Sequence, residues 1–119
     1  MQTKQQQLGK WGENQAYAYL LRKKYKIIER NFRASNFGEI DIIAKKNNEY
    51  IFVEVKTKRN QHFGLPEEEL TGDKKKKLDF AIYYYLETKG LYNERWRFDF
   101  IALEIMNTKI QLRHYRYAS

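Results

Sequence analysis

Residues Gly38 to Lys58 read GEIDIIAKKNNEYIFVEVKTK, and the alternation within this stretch decides the fold. Side chains on a strand point alternately to opposite sides. Taken every second residue, Ile40, Ile42 and Ala44, then Ile51, Val53 and Val55 beyond a polar break, form one apolar face. The other face carries Glu39, Asp41 and Ile43, then Phe52, Glu54 and Lys56. The break has Asn47 and Asn48 at its centre, residues that accept the left-handed backbone of a tight hairpin. A turn there sets Asp41 opposite Glu54 and Glu39 opposite Lys56. Directly opposed β-carbons lie about 4.5–5.5 Å apart, and two carboxylates at roughly 5 Å repel by about 3 kcal/mol at an effective dielectric near 20. Two arrangements offset that repulsion: a cation held between the acids, or a wet face on which Glu39 and Lys56 form an ordinary ion pair beside exposed Asp41 and Glu54.

The rest of the chain bounds the answer. Its 119 residues, 42% of them hydrophobic, suit one compact domain spanning 1–119, with no Gly/Ser/Pro-rich linker and no internal repeat. The absence of cysteine excludes a disulfide scaffold, a thiolate nucleophile and a thiol-ligated zinc. The polar start MQTKQQQLGK lacks the apolar segment of a secretory signal, and no apolar run approaches membrane-spanning length, so a cytoplasmic protein with no membrane partner is expected. Lys and Arg number 23 against 15 Asp and Glu, a formal charge of +8. Such an excess favours a polyanionic partner, above all nucleic acid, although it also serves solubility.

Around the hairpin the pattern predicts further elements. Residues from Gln5 to Tyr25 read as a helix in which Gly9, Gly12 and Ala16 leave room for close packing, and Glu13 sits beside the apolar seam. Lys26 to Arg33 (KIIERNFR) is a strand, followed by the turn ASNFG. After the loop RNQHFGLP, Pro66 opens a short helical turn whose positive end suits Glu67, Glu68 and Glu69. A helix from Asp73 to Lys89 repeats Leu78, Ala81, Ile82, Tyr85 and Leu86 on one side and stops at Gly90. RWRFDFIALEI and KIQLRHYRY, joined at Asn107-Thr108, close the chain as two strands. The order α-β-β-β-α-β-β predicts an α/β fold, a central mixed sheet flanked by helices.

On the hairpin's charged face, Asp41 and Glu54 would hold Mg²⁺ or Mn²⁺, hard ions that prefer oxygen ligands, with the Val55 carbonyl completing the protein's share. Lys56 projects to the same side, where it would orient an attacking water and stabilise negative charge building on a phosphate. An acid on one strand followed by Glu-X-Lys on its hairpin partner resembles the PD-(D/E)xK site of restriction-endonuclease-like nucleases, although Ile40 stands where the motif has proline. The segments LGKWGENQAYAYL, IIERNFR, GEIDIIA, FVEVKTK, FGLPEE and RFDF, spread from Leu8 to Phe100, follow the order characteristic of the bacterial YraN-like family, which is similar to archaeal Holliday junction resolvases. The resemblance implies a restriction-endonuclease-like domain that hydrolyses phosphodiester bonds in DNA, branched DNA such as a Holliday junction included. It implies that Asp41 and Glu54 are the metal-binding acids, Lys56 the catalytic lysine and Glu13 the helical glutamate that completes the site. Glu39 matches the GEID motif and is a secondary candidate.

For nucleic-acid contact the candidates are Arg33, Lys58 and Arg59 at the ribbon's ends, and Lys74, although the run Lys74–Lys77 reads equally as a solvated helix face. Tyr83 to Tyr85 suggest core packing with one exposed ring rather than base stacking. His62 and His114 have no partner at ligand spacing and read as incidental, while Asp99 is expected to pair with a nearby arginine. A homodimer would present two sites to two strands of a symmetric substrate. Two other classes remain open: a nucleic-acid-binding module whose site turns over little or nothing, and a protein-interaction adaptor suggested by the 16% aromatic content.

Overall fold

A computed structural model describes residues 1–60 and 64–118. The chain runs α1 (Lys4–Arg22), β1 (Lys26–Arg33), β2 (Glu39–Lys46), β3 (Glu49–Arg59), α2 (Gly72–Thr88), β4 (Trp96–Met106) and β5 (Lys109–Ala118), with 3-10 turns at Ser35–Phe37 and Pro66–Glu69. One five-stranded sheet is ordered β1-β2-β3-β4-β5. Every neighbouring pair is antiparallel except β3 and β4, which run parallel from Tyr50↔Trp96 to Arg59↔Ile105. A parallel neighbour requires a crossover, and α2 supplies it. This is the expected mixed α/β sheet in the expected order.

Local chemistry sets the boundaries. Thr3 caps α1 in a reciprocal box: its Oγ1 accepts from the Gln6 N–H at 3.0 Å, and Gln6 Oε1 accepts from the Thr3 N–H at 2.9 Å. The helix ends at Arg22 rather than Tyr25 because Lys24 adopts φ 71° and the Tyr25 N–H turns back to the Leu20 carbonyl. At the β2–β3 turn, Asn47 (φ 54°) and Asn48 (φ 63°) adopt the left-handed backbone that fixes the pairings Lys46↔Glu49 through Ile42↔Val53.

The helices cover opposite faces of the sheet. Ala16 and Leu20 of α1, with Tyr25, pack on Ile42, Ala44, Ile51, Val53, Val55, Ile101 and Leu103. Leu78, Ala81, Ile82, Tyr85 and Leu86 of α2 pack on Ile43, Phe52, Phe98, Phe100 and Ala102. β3 and β4 are therefore buried on both sides, which is why both read as nearly continuous apolar runs. Each fully buried Ile or Phe among them contributes about 1.5–3 kcal/mol. Ile40 departs from the alternation predicted for it: it joins Ile43 and Phe52 on the α2 face, not Ile42 on the α1 face. Here β2 is irregular, since Asn31, opposite Asp41 in register, takes φ 54° and the two do not pair.

Gly12 packs against β3 as expected, with Thr57 where a side chain would be, whereas Gly9 has open space around it. The tyrosine run also differs from expectation. Tyr85 is buried, but Tyr83 and Tyr84 are both exposed, because consecutive helical residues sweep too wide an arc for all three to reach the core.

On the α2 face, Glu67 binds the Arg113 guanidinium through both carboxylate oxygens and also accepts from the Tyr115 hydroxyl at 2.6 Å; Arg113 in turn reaches buried Glu104. These bonds, Arg113's foremost, lower the Glu67 carboxyl from its ordinary value to about 2. A carboxylate depressed on folding stabilises the fold above its unfolded pKa and loses that contribution as pH falls through the folded value. Glu67→Gln should therefore lower the urea midpoint at neutral pH, with the gap to wild type closing as pH approaches 2. A gap unchanged by acid would show that the carboxylate's charge is not what holds this corner.

Candidate active site

The ladder between β2 and β3 stops at Ile42↔Val53, one step before Asp41 would meet Glu54. Asp41 is thus not directly opposed to Glu54 as the register predicts. Its Oδ2 instead accepts from the Val55 N–H at 2.8 Å, taking a donor that strand pairing would otherwise use, and the strands part around the carboxylate. Asp41, Glu54, Val55 and Lys56 line one cleft of about 710 Å³ with Glu13 from α1, and Lys58 and Arg59 border it. Glu54 is buried on β3 and Asp41 half-buried beside it.

The electrostatics of this cleft are unfavourable as they stand. Burial is the main reason the Asp41 carboxyl is raised well above the ordinary aspartate range; the Glu54 charge adds to it, and the Val55 bond only partly opposes it. Burial also raises Glu13, against which the Arg30 charge acts, while Glu39 raises it further. Glu13 accepts from Asn31 Nδ2 at 3.0 Å, so the left-handed residue in β1 also orients the helical glutamate. Three acids therefore crowd one cleft, and the Glu54 charge adds to the rise of both Asp41 and Glu13.

Of the other predicted residues, Arg33 and Glu39 lie apart from the cleft lining, while the lysines near it already have acidic partners. Glu39 does not face Lys56; beyond the end of the ladder it turns to Arg33, 3.6 Å away and well exposed, and Arg33 does not line the cleft. Lys56 lies 3.7 Å from Glu69, and Lys58 lies 3.3 Å from the same carboxylate. Lys74 reaches back from the start of α2 to Glu54 at 3.3 Å, so it neighbours the acids rather than projecting freely. Glu69 went unrecognised as part of this region. Its signal in sequence was only a glutamate run between two lysine-rich segments, and the 3-10 turn that carries it over β3 cannot be read from that.

Asp99 behaves as expected, accepting from Arg97 Nε at 2.8 Å. His114 is not incidental. Its Nε2 lies 2.7 Å from Asp99 and its Nδ1 2.9 Å from the Tyr19 hydroxyl, a bridge from β5 across β4 to α1 that only strand pairing creates. Burial alone would raise Asp99, but its hydrogen bonds from His114 and Arg97 outweigh that and hold it below the ordinary value. His62 lies outside the described residues.

The donor set at the parted strands consists of hard oxygens. Among the described residues no three carboxylate or imidazole groups stand ready as a complete ligand set. Two acids suffice for Mg²⁺ or Mn²⁺, which keep several waters and usually take one or two protein carboxylates. The crowding of Asp41 by Glu54 is the condition such a cation relieves, so the residues fit it.

Fold and site together define a class: a helix-flanked mixed sheet carrying a carboxylate-and-lysine cleft where two of its strands part. The model of the uncharacterised protein family UPF0102 matches residues 12–103. The chain belongs to that family, the YraN-like group its motifs resemble. It is 39% identical over 108 residues to a UPF0102 protein of Syntrophomonas wolfei, covering 91% of this chain and 93% of that one. A Clostridioides difficile member is 44% identical over 102 residues, covering 86% and 89%. A Geobacter sulfurreducens member is 42% identical over 100 residues, covering 84% and 77%. No helix among the described residues is long and apolar enough to cross a membrane.

Proposed function

We propose that this protein is a metal-dependent nuclease of the restriction-endonuclease-like, PD-(D/E)xK kind, hydrolysing phosphodiester bonds in DNA, branched DNA included. The observation that carries the reading is the Asp41 carboxylate, wedged between parted strands against Glu54 with Lys56 lining the same cleft. Asp41 and Glu54, with the Val55 carbonyl, would hold Mg²⁺ or Mn²⁺. When bound, such an ion supplies charge neutralisation at the scissile phosphate and a more acidic water. Glu13, made more basic by burial and in hydrogen-bond contact with Asp41, lines the same cleft and would accept a hydrogen bond from a water bound beside the two acids. Lys56 contributes a positive donor to the phosphate oxygens, where charge grows in the transition state. Lys58 and Arg59 border the cleft on the path a phosphate backbone would take, and the net +8 favours a polyanion. A homodimer would place two such clefts on a symmetric junction.

End-labelled duplex, flap and four-way-junction DNA incubated with Mg²⁺ or Mn²⁺ should be cut. Lys56→Ala should lower the rate about 100-fold, the scale of losing one transition-state donor, while Mn²⁺ binding by calorimetry persists. Cutting at the wild-type rate by Lys56→Ala would remove the lysine from the mechanism.

One observation favours a second reading, a binding module without turnover. Lys56 and Glu54 already have partners in Glu69 and Lys74. That reading predicts DNA affinity falling steeply with salt and no cleavage of any substrate under either metal.

A further inference from the structure

A second cleft, of about 740 Å³, adjoins the carboxylate cleft at the start of α1, with Gln5, Leu8 and Arg59 lining both. Its walls differ in kind. Leu8, Trp11, Ile105 and Ile110 make an apolar floor, Lys4 and Arg59 stand on it as cations, and no acid lines it. Ile110 is 55% exposed on β5. Trp96 is packed edge-on by Phe52 and Tyr83, but among the described residues no ring covers the indole of Trp11. Lys58 and Lys74 are tied to glutamates, whereas Arg59 has no acidic partner among the described residues.

A half-buried indole that no other described ring covers, on an apolar floor with cations that have no acidic partner among the described residues and a phosphate-directed site next door, matches the chemistry of a nucleotide: a flat apolar base carried on an anionic backbone. The volume falls within the roughly 300–1,000 Å³ typical of ligand sites. Bases within a duplex have both faces stacked and cannot enter. We infer that this cleft is a subsite for an unpaired nucleobase, Trp11 stacking on the base and Arg59 holding the phosphate between subsite and carboxylates. The preferred substrate is then DNA with unpaired nucleotides beside the scissile phosphate, such as a flap or a duplex with a single-stranded tail. The inference rests on nucleic acid being what the neighbouring site engages, but not on turnover.

The test uses metal-free full-length protein carrying Trp96→Phe, so that Trp11 is the sole indole, and follows its emission. Oligothymidylate and a tailed duplex should quench it, and a blunt duplex should not. Ile110→Glu, at an exposed position that tolerates charge, should weaken binding of the tailed duplex about tenfold, as should Trp11→Ala, while Trp11→Phe retains most of the affinity. Blunt-duplex affinity, read by anisotropy, should be nearly unchanged by Ile110→Glu. Equal quenching by blunt and tailed DNA would overturn the subsite, as would binding to either without quenching. Emission that changes with protein concentration alone would assign the cleft to a second copy of the chain and overturn it too. The two proposals fail separately. Quenching without cleavage under any metal sinks the nuclease and keeps the subsite; cleavage of blunt and tailed DNA alike, without quenching, does the reverse.

Discussion

Asp41→Asn should abolish metal-dependent cleavage, by about a thousandfold or more, and at the same time make the metal-free protein harder to unfold. Both effects come from one feature. The wild-type carboxylate is half-buried, faces Glu54 and Glu13, and is compensated only in part by the hydrogen bond it accepts from the Val55 N–H at 2.8 Å. Asparagine keeps an oxygen for that bond and removes the charge. Because folding raises the Asp41 carboxyl above its ordinary value, the folded state holds the proton more tightly than the unfolded one. Ionisation therefore costs stability: the penalty is absent below the unfolded pKa and grows as pH rises toward the folded value. At neutral pH and above, the asparagine variant should gain about 1–3 kcal/mol, a few degrees in melting temperature for a chain this size. The gain should shrink in acid. Mn²⁺ should raise the melting temperature of the wild type and leave the variant unmoved. A variant that still cuts, or that melts lower than wild type in EDTA at neutral pH, would show that Asp41 belongs to an ordinary structural network.

Gly12→Ala should be among the most damaging small substitutions in the chain. A β-carbon there would sit 1.8 Å from Thr57 Oγ1 and 2.9 Å from Thr57 Cβ, so α1 must lift from β3. Overpacking of this kind costs about 3 kcal/mol, and cleavage should fall with it because the adjacent Glu13 is carried by the same turn of helix. Thr57→Ala in the same chain should restore part of the loss by removing the hydroxyl. Alone, it should be nearly neutral, since Thr57 Oγ1 is buried without a hydrogen-bond partner among the described residues. Gly9→Ala, one turn earlier with nothing within 4 Å, should instead stabilise by about 1 kcal/mol through helix propensity. Denaturant titrations of the four variants check this. Equal effects at Gly9 and Gly12 would mean that propensity, not contact with β3, governs both.

Much of this fold was legible from period alone. The two-asparagine turn fixed the β2–β3 register, the spacing of Leu78 through Leu86 gave the buried face of α2, and the apolar runs of β3 and β4 marked the doubly covered centre of the sheet. These features depend on interactions between near neighbours or on a face's average hydrophobicity, and both are written locally. The candidate site was legible only as a set of names. Alternation placed Ile40 beside Ile42 and Asp41 opposite Glu54, yet β2 breaks its pleat there and the Asp41 side chain takes a ladder donor from β3.

The sequence by itself determined the order of elements, the hairpin register as far as Ile42↔Val53, the two helical faces and the presence of an acid-rich, lysine-bearing segment in a basic chain. Only the tertiary structure decided which charges meet: Lys56 with Glu69, Lys74 with Glu54, His114 with Asp99, and Glu13 with Asp41. The reason is one of range. Backbone periodicity acts over a few residues, whereas an ion pair or a shared carboxylate cleft depends on where packing brings segments far apart in the chain, and a flexible charged side chain has several possible partners until that packing selects one.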